Sequence, residues 1–453
     1  MKNMTIRNLV KVTGGRYEGP SEKLDYQVKG IVKDNREIKE GYVFVPFKGA
    51  KVDAHDFMGD AFEKGAVLCL SERPYEVKGD EAVLFVSSTL EAFKAMATFY
   101  REQLSCKFIG VVGSVGKTST KEMIASVLET KYNVQKTAGN FNNEIGLPIT
   151  IFSVNEDHEI AIVEMGISDF GEMKILGEIA KPDMVVMTNI GECHLENLID
   201  RDGVLKEKSE VISYMKEGGT LVLNMDDDKL STIKAPETID VLTYGKVSDN
   251  TAYATEISSV GIQGQKARFH LQGQEFEATI PLSGEHNVYN ALAAMCVAKK
   301  LGLSTAAMKD GMEKIQSVKG RNHQINANGY TIIDDCYNAS PTSMKGSLQV
   351  LSHAKGRTIA ILGDMGELGK DEKKMHEQVG EVAGDLGIDV IITVGALAKE
   401  IAKGAANHGC KVCEYETKED LLPQLKELLK EGDTVLVKAS HFMQFEKIVD
   451  AIK

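Results

Sequence analysis

No apolar run in the sequence approaches the length of a membrane span, which takes roughly 20 residues in a helix. The first residues, MKNMTIRNLVKVTGG, lack the apolar core of a secretory signal,. Basic charge is also lacking. The net charge is −13, which excludes a broad nucleic-acid-binding face because phosphate backbones demand a basic one. Nucleotides stay open, since a few backbone N–H groups and one or two cations hold them. The seven cysteines are odd in number and scattered, so no disulfide framework is expected. Cys410 and Cys413 have CxxC spacing, but only His408 lies near them. Two ordinary cysteines on a strand are expected there rather than zinc. Repeats and low-complexity tracts are absent. A soluble cytoplasmic protein is the expectation.

What is present is a large apolar fraction, 43% of 453 residues. At about 100–200 residues per domain, that is enough for three domains. Residues 1–104 read as a small mixed α/β unit, with strands in GYVFVPF (41–47) and EAVLFVS (81–87). A helix over 54–66 leads into VLCL, and a connecting helix spans Thr89 to Gln103. Residues 105–317 open on the strand KFIGVV (107–112), followed by a glycine turn and a helix over 117–130. Apolar runs at 160–166, 184–190 and 220–224 alternate with helical segments, the pattern of a parallel doubly wound sheet. Residues 251–282 alternate in polarity and predict an added antiparallel hairpin layer. A helix over 287–302 then resumes the α/β pattern. Residues 318–453 repeat it with strands at 330–335, 357–363, 389–395 and 433–439, a second Rossmann-like domain without a phosphate loop. Hinges are expected near Ser105 and Val318–Gly320.

The sharpest chemical signal is Gly113-Ser114-Val115-Gly116-Lys117-Thr118-Ser119 between a strand and a helix. Glycines let backbone N–H groups turn toward phosphate oxygens, and the helix N-terminus adds partial positive charge. Lys117 reaches the β- and γ-phosphates, and the Thr118 hydroxyl suits Mg²⁺. The usual GxxxxGK[ST] pattern would place its first glycine at position 111, where this chain has Val111. ATP is therefore the expected nucleotide. A phosphate loop alone does not say how the γ-phosphate is used.

The shortened loop resembles that of the Mur ligases and folylpolyglutamate synthetases, and further matches follow in order along the whole chain. The closest resemblance is to the Mur ligase branch that adds D-alanyl-D-alanine to UDP-N-acetylmuramoyl-tripeptide in peptidoglycan precursor synthesis. Lys33-Asp34-Asn35-Arg36, Gly41-Tyr-Val-Phe-Val-Pro and Asp53-Ala-His55-Asp56-Phe57 look like the uridine-nucleotide module, with Asp-Asn-Arg where the family usually has Asp-Ser-Arg. The resemblance thereby assigns Asp34, Asn35 and Arg36 to substrate. It does the same for Asn140, Asn142 and Asn143 in Thr137-Ala-Gly139-Asn140-Phe-Asn142-Asn143-Glu144.

By the same resemblance Glu164, at the end of an apolar strand, is an Mg²⁺ ligand beside Thr118. His194 ligates a second Mg²⁺. Lys208, read with Lys206 at the start of a helix, is the lysine that becomes carbamylated. Asn287 and Asn290 sit one helical turn apart and are matched to a helix touching adenine, although Asn287 reads equally well as an N-cap. Arg321 is expected at the γ-phosphate. In Asp334-Asp335-Cys336-Tyr337-Asn338-Ala339-Ser340-Pro341, Asp335 is expected at the nucleotide and Tyr337 and Asn338 at the substrate. Gly363-Asp364-Met365-Gly366-Glu367-Leu368-Gly369, followed by His376-Glu377, is an equally close match. Where the family usually reads Lys-Gly-Ser-Arg, this chain has Lys438-Ala439-Ser440-His441.

The resemblance thus implies a monomeric ATP-dependent ligase that uses two Mg²⁺ ions and needs no side-chain nucleophile. Lys117, Lys208, His194 and Arg321 carry its chemistry. Its partners are small molecules, UDP-muramoyl-tripeptide and D-alanyl-D-alanine. Two alternatives remain. One is a sister ligase adding a single amino acid, against which the Asn-Phe-Asn-Asn and Tyr-Asn-Ala-Ser-Pro runs weigh. The other is a non-catalytic nucleotide sensor, against which the intact Lys117, Thr118, Glu164, His194 and Lys208 weigh.

Overall fold

The computed structural model describes residues 1–453 and contains three sheets of five, nine and six strands. The first is built from strands between Arg16 and Phe85. All its pairings are parallel except the edge strand Arg16–Glu18, which runs antiparallel to Val83–Phe85. The expected helix over 54–66 is a short 3₁₀ turn, Ala54–Phe57, continued by an α-helix, Met58–Glu63.

The connecting helix Thr89–Gln103 forms as read. Ser88 caps it by accepting a hydrogen bond from the Glu91 N–H,. Its buried residues Ala92, Phe93, Met96, Ala97 and Tyr100 recur at helical spacing,. They join one continuous apolar core that runs from Met4 to Ile239, so packing does not break at residue 104. Arg101 bolts the helix to the central unit. It is buried, it donates to the Ala180 and Lys181 carbonyls at 2.7 and 3.0 Å, and its guanidinium lies 3.8 Å from the Phe108 ring centre.

The central sheet places the strand Lys107–Val112 between Ile160–Glu164 and Met184–Met187, all parallel. The chain leaves that strand to one side and later returns to the other, which opens a crevice at the carboxyl ends of these strands. The segment 252–280 is a correction to the expected hairpin layer. Ala252–Ser259 pairs in parallel with Asp240–Gly245, and Gln265–Leu271 and Gln274–Ile280 follow antiparallel. The hairpin extends the main sheet rather than covering it.

In the last sheet, Tyr330–Asp334, Thr434–Lys438, Thr358–Gly363 and Val390–Val394 lie side by side in parallel. Two edge strands complete it, His323–Ala327, which the sequence did not announce, and Lys411–Tyr415, the strand expected at Cys410 and Cys413. Cys413 lies on the second of these, and all seven cysteines are free. No helix is long and apolar enough to cross a membrane.

Candidate active site

The phosphate loop starts where the buried strand Lys107–Val112 ends and closes at Gly116, whose φ is +84°. Gly113 is needed for a different reason. A Cβ there would lie 1.9 Å from the Thr188 hydroxyl oxygen. Asn189 braces the loop from the neighbouring strand end, accepting from the Val115 N–H at 3.0 Å and donating to the Val115 carbonyl at 2.8 Å. Sequence reasoning passed over Asn189. Its signal is a polar residue two positions beyond the apolar strand Met184–Met187, beside the loop. The Lys117 ammonium folds back onto the Gly113 and Ser114 carbonyls, at 2.8 and 3.3 Å.

The Thr118 hydroxyl donates to Glu164 Oε2 at 2.9 Å, and Asn142 Nδ2 donates to Oε1 at 2.8 Å. Glu164 is 2% exposed, so these bonds compensate most of its desolvation. A hydroxyl and a carboxylate side by side are hard oxygen donors that suit Mg²⁺. Asn143 instead spends its side-chain oxygen locally, accepting from the Ile145 and Gly146 N–H groups at 3.2 and 2.9 Å. It thereby fixes the turn that leads into the helix Gly146–Ser153 while still lining the cleft.

That cleft, about 1570 Å³, lies between the central and C-terminal sheets. Arg321 crosses it. Its Nη2 is 3.4 Å from the Thr118 hydroxyl, and its guanidinium lies 3.9 Å from the centre of the Tyr337 ring. Tyr337 in turn faces Asn140, and its ring sits 5.5 Å from that of His441. Burial pushes the Tyr337 hydroxyl upward, keeping it neutral and able to donate,. Asn338 also lines the cleft.

Asp335 is held from within the C-terminal unit. Its Oδ1 accepts from the Asn322 N–H at 3.0 Å, and its Oδ2 accepts from Lys438 and Ser347, each at 2.5 Å. Both oxygens are engaged, which makes it a framework anchor at the cleft wall. Asn287 and Asn290 are similarly committed. Asn287 donates to the Ser283 carbonyl, Asn290 donates to Asn287, and Thr120 donates to Asn290 Oδ1 at 2.8 Å. The pair cross-links the helix His286–Lys300 to the phosphate-loop helix. Glu285, not Asn287, occupies the N-cap position.

His194 has φ +54°, and its Nδ1 is 2.5 Å from Glu367 Oε2 of the C-terminal unit. No group of three His, Cys, Asp or Glu side chains converges on one point. Lys206 and Lys208 lie in the last turn of the helix Arg201–Ser209, not at its start. Asp200 sets that beginning by capping the Gly203 N–H. Lys206 is exposed over the Phe170 ring. Lys208 is 0% exposed and its Nζ has no hydrogen-bond partner. Burial pushes its ammonium down to about 8, opposed by Cys193 and reinforced to a lesser degree by the nearby Lys117 charge.

Asp34, Asn35 and Arg36 are absent from the cleft lining. Asp34 caps a 3₁₀ turn and pairs with exposed Arg36, which holds its carboxyl down at about 2. Asn35 donates to Asp60 at 2.7 Å.

Residues 111–298 match the Mur ligase middle domain and residues 320–441 the Mur ligase, glutamate ligase domain. The chain is 37% identical to the UDP-N-acetylmuramoyl-tripeptide–D-alanyl-D-alanine ligase of Bacillus subtilis (strain 168), across 99% of this chain and 98% of that protein. It is 32% identical to the enzyme of the same name from Escherichia coli (strain K12), across 100% and 99%. Among solved structures, MurF from Acinetobacter baumannii superposes with a TM-score of 0.90 at 31% identity, covering 99% of this chain and 98% of that one. MurF ligase from Thermotoga maritima in complex with ADP gives 0.83 at 29% identity, covering 94% and 97%. With a braced phosphate loop on one wall of the cleft, an arginine from the other wall, and full-length likeness on both counts, the chain belongs to the Mur ligase family.

Proposed function

We propose that this chain joins D-alanyl-D-alanine to UDP-N-acetylmuramoyl-tripeptide, using ATP and releasing ADP and phosphate. The observation that supports this reading is Arg321 beside Thr118, because a cation and a hydroxyl from two units adjoin at the phosphate loop, where a γ-phosphate would be held. In the reaction the tripeptide carboxylate oxygen attacks the γ-phosphorus and ADP leaves. The dipeptide amine then attacks the acyl carbon of the resulting acyl phosphate, and phosphate departs. The protein's part is positioning and charge neutralisation. Lys117 and Arg321 offset charge on the phosphates, and Asn140, Asn142, Tyr337 and Asn338 orient the groups beside them.

Thr118 and Glu164 would hold one Mg²⁺, and His194 with carbamylated Lys208 a second. Bound Mg²⁺ supplies further charge neutralisation at the phosphates. The buried, unpartnered Lys208 amine supports the carbamate. A neutral amine adds to CO₂ with loss of a proton, giving an anionic oxygen donor where an ammonium would oppose a cation. The first unit, 1–104, is assigned to the uridine nucleotide, 105–317 to ATP and 318–453 to the dipeptide.

Acceptor choice tests this reading. Phosphate release in the presence of UDP-muramoyl-tripeptide, ATP and Mg²⁺ should be stimulated by D-alanyl-D-alanine at least about tenfold over any single amino acid. Stimulation by glutamate, alanine or lysine alone would place the chain with the sister ligases.

A further inference from the structure

The chain spends conformational energy on one contact that the proposed reaction does not yet use. His194 and Glu367 both adopt left-handed backbone, with φ +54° and +62°. Non-glycine residues held there cost of order 1–3 kcal/mol each. The hydrogen bond they form is partly exposed, with side chains 22% and 57% accessible. Even a fully ionic pair at such a place returns only about 0–1 kcal/mol. Stability therefore does not account for the arrangement.

The segment bearing Glu367 is held in place from both sides. Buried His376 donates through Nδ1 to the Glu372 carbonyl and accepts at Nε2 from the Met365 N–H at 2.9 Å. Ser440 accepts from the Gly366 N–H at 2.9 Å. Glu367 comes next, and its own carbonyl accepts from the Glu196 N–H at 3.3 Å. The C-terminal unit thus presents one carboxylate in a fixed place against the loop that carries His194.

An imidazole has two nitrogens. When Nδ1–H donates to a carboxylate, the tautomer is set and Nε2 keeps its lone pair. Histidines that bind metals are commonly oriented in this way, and loss of the orienting group typically weakens metal binding about 10–100-fold.

We propose that Glu367 is a positioning residue for His194, fixing its tautomer and aim from the opposite unit, so that His194 is set as a ligand only when the two units are together. This rests on the ligase reading for the role of His194.

The test uses full-length protein and two variants, Glu367→Ala and Glu367→Gln. Mn²⁺ binding is titrated beside a non-hydrolysable ATP analogue, and kcat and KM are measured separately. Glu367→Ala should weaken Mn²⁺ binding about 10–100-fold. It should lower kcat in similar proportion while KM for ATP moves less than about threefold. Glu367→Gln keeps the side-chain length and an acceptor oxygen, so it should recover part of both losses, and it serves if the alanine variant folds poorly. Wild-type Mn²⁺ affinity in both variants would overturn the proposal, whether or not kcat falls. A wild-type protein that binds Mn²⁺ but forms no product would count against the ligase reading instead, and the titration would still decide the role of Glu367.

Discussion

Lys117→Ala should cut turnover by at least about 10³-fold, the scale seen when a cation or donor at a transferring phosphoryl group is removed. Its fold should survive. In the structure Lys117 Nζ bonds only to the Gly113 and Ser114 carbonyls, and such bonds contribute about 1 kcal/mol net. The loop is braced independently by Asn189 and by the closeness of Thr188 to Gly113. With nucleotide bound, the same ammonium is free to leave two neutral carbonyls for phosphate oxygens, where its charge has far more effect. Circular dichroism and thermal unfolding should match wild type while phosphate release disappears. Release within tenfold of wild type would remove Lys117 from the nucleotide site.

Replacing Lys208 should separate stability from activity. Its amine is enclosed without a partner, and an unsatisfied buried amine opposes folding. Lys208→Met keeps most of the volume and discards the amine, so its thermal midpoint should equal or exceed that of wild type. Activity should nevertheless fall about 10²–10³-fold, as expected for loss of a ligand to catalytic metal. Lys208→Ala leaves space, so high concentrations of acetate or formate should restore part of its activity by supplying the missing carboxylate. Lys206→Ala should be far milder, because Lys206 is exposed and only overlies the Phe170 ring. Equal losses at the two positions, with no rescue at either, would contradict the carbamate.

The phosphate loop was legible in the sequence because its chemistry dictates residue types at fixed spacing. The same holds for the central parallel strands, whose unbroken apolar runs reflect burial on both faces. The edge strand His323–Ala327 was not, because it is partly exposed and carries no continuous apolar run. Alternation in 252–280 reported strands but not which edge they would join. Helical spacing placed Asn287 and Asn290 on one face. It could not say that their amides would be consumed in cross-linking two helices. The pairing of His194 with Glu367 spans 173 positions, and only the docking of two units creates it.

The acyl phosphate is the centre of the account, and oxygen labelling tests it most directly. UDP-muramoyl-tripeptide carrying ¹⁸O in its terminal carboxylate is turned over with ATP, Mg²⁺ and D-alanyl-D-alanine, and the mixture is read by mass spectrometry. Because the carboxylate oxygen attacks the γ-phosphorus and the acyl C–O bond later breaks, the released phosphate should carry a single ¹⁸O. The peptide product should have the mass of tripeptide plus dipeptide less one labelled water. Unlabelled phosphate, or label appearing in AMP, would contradict the mechanism.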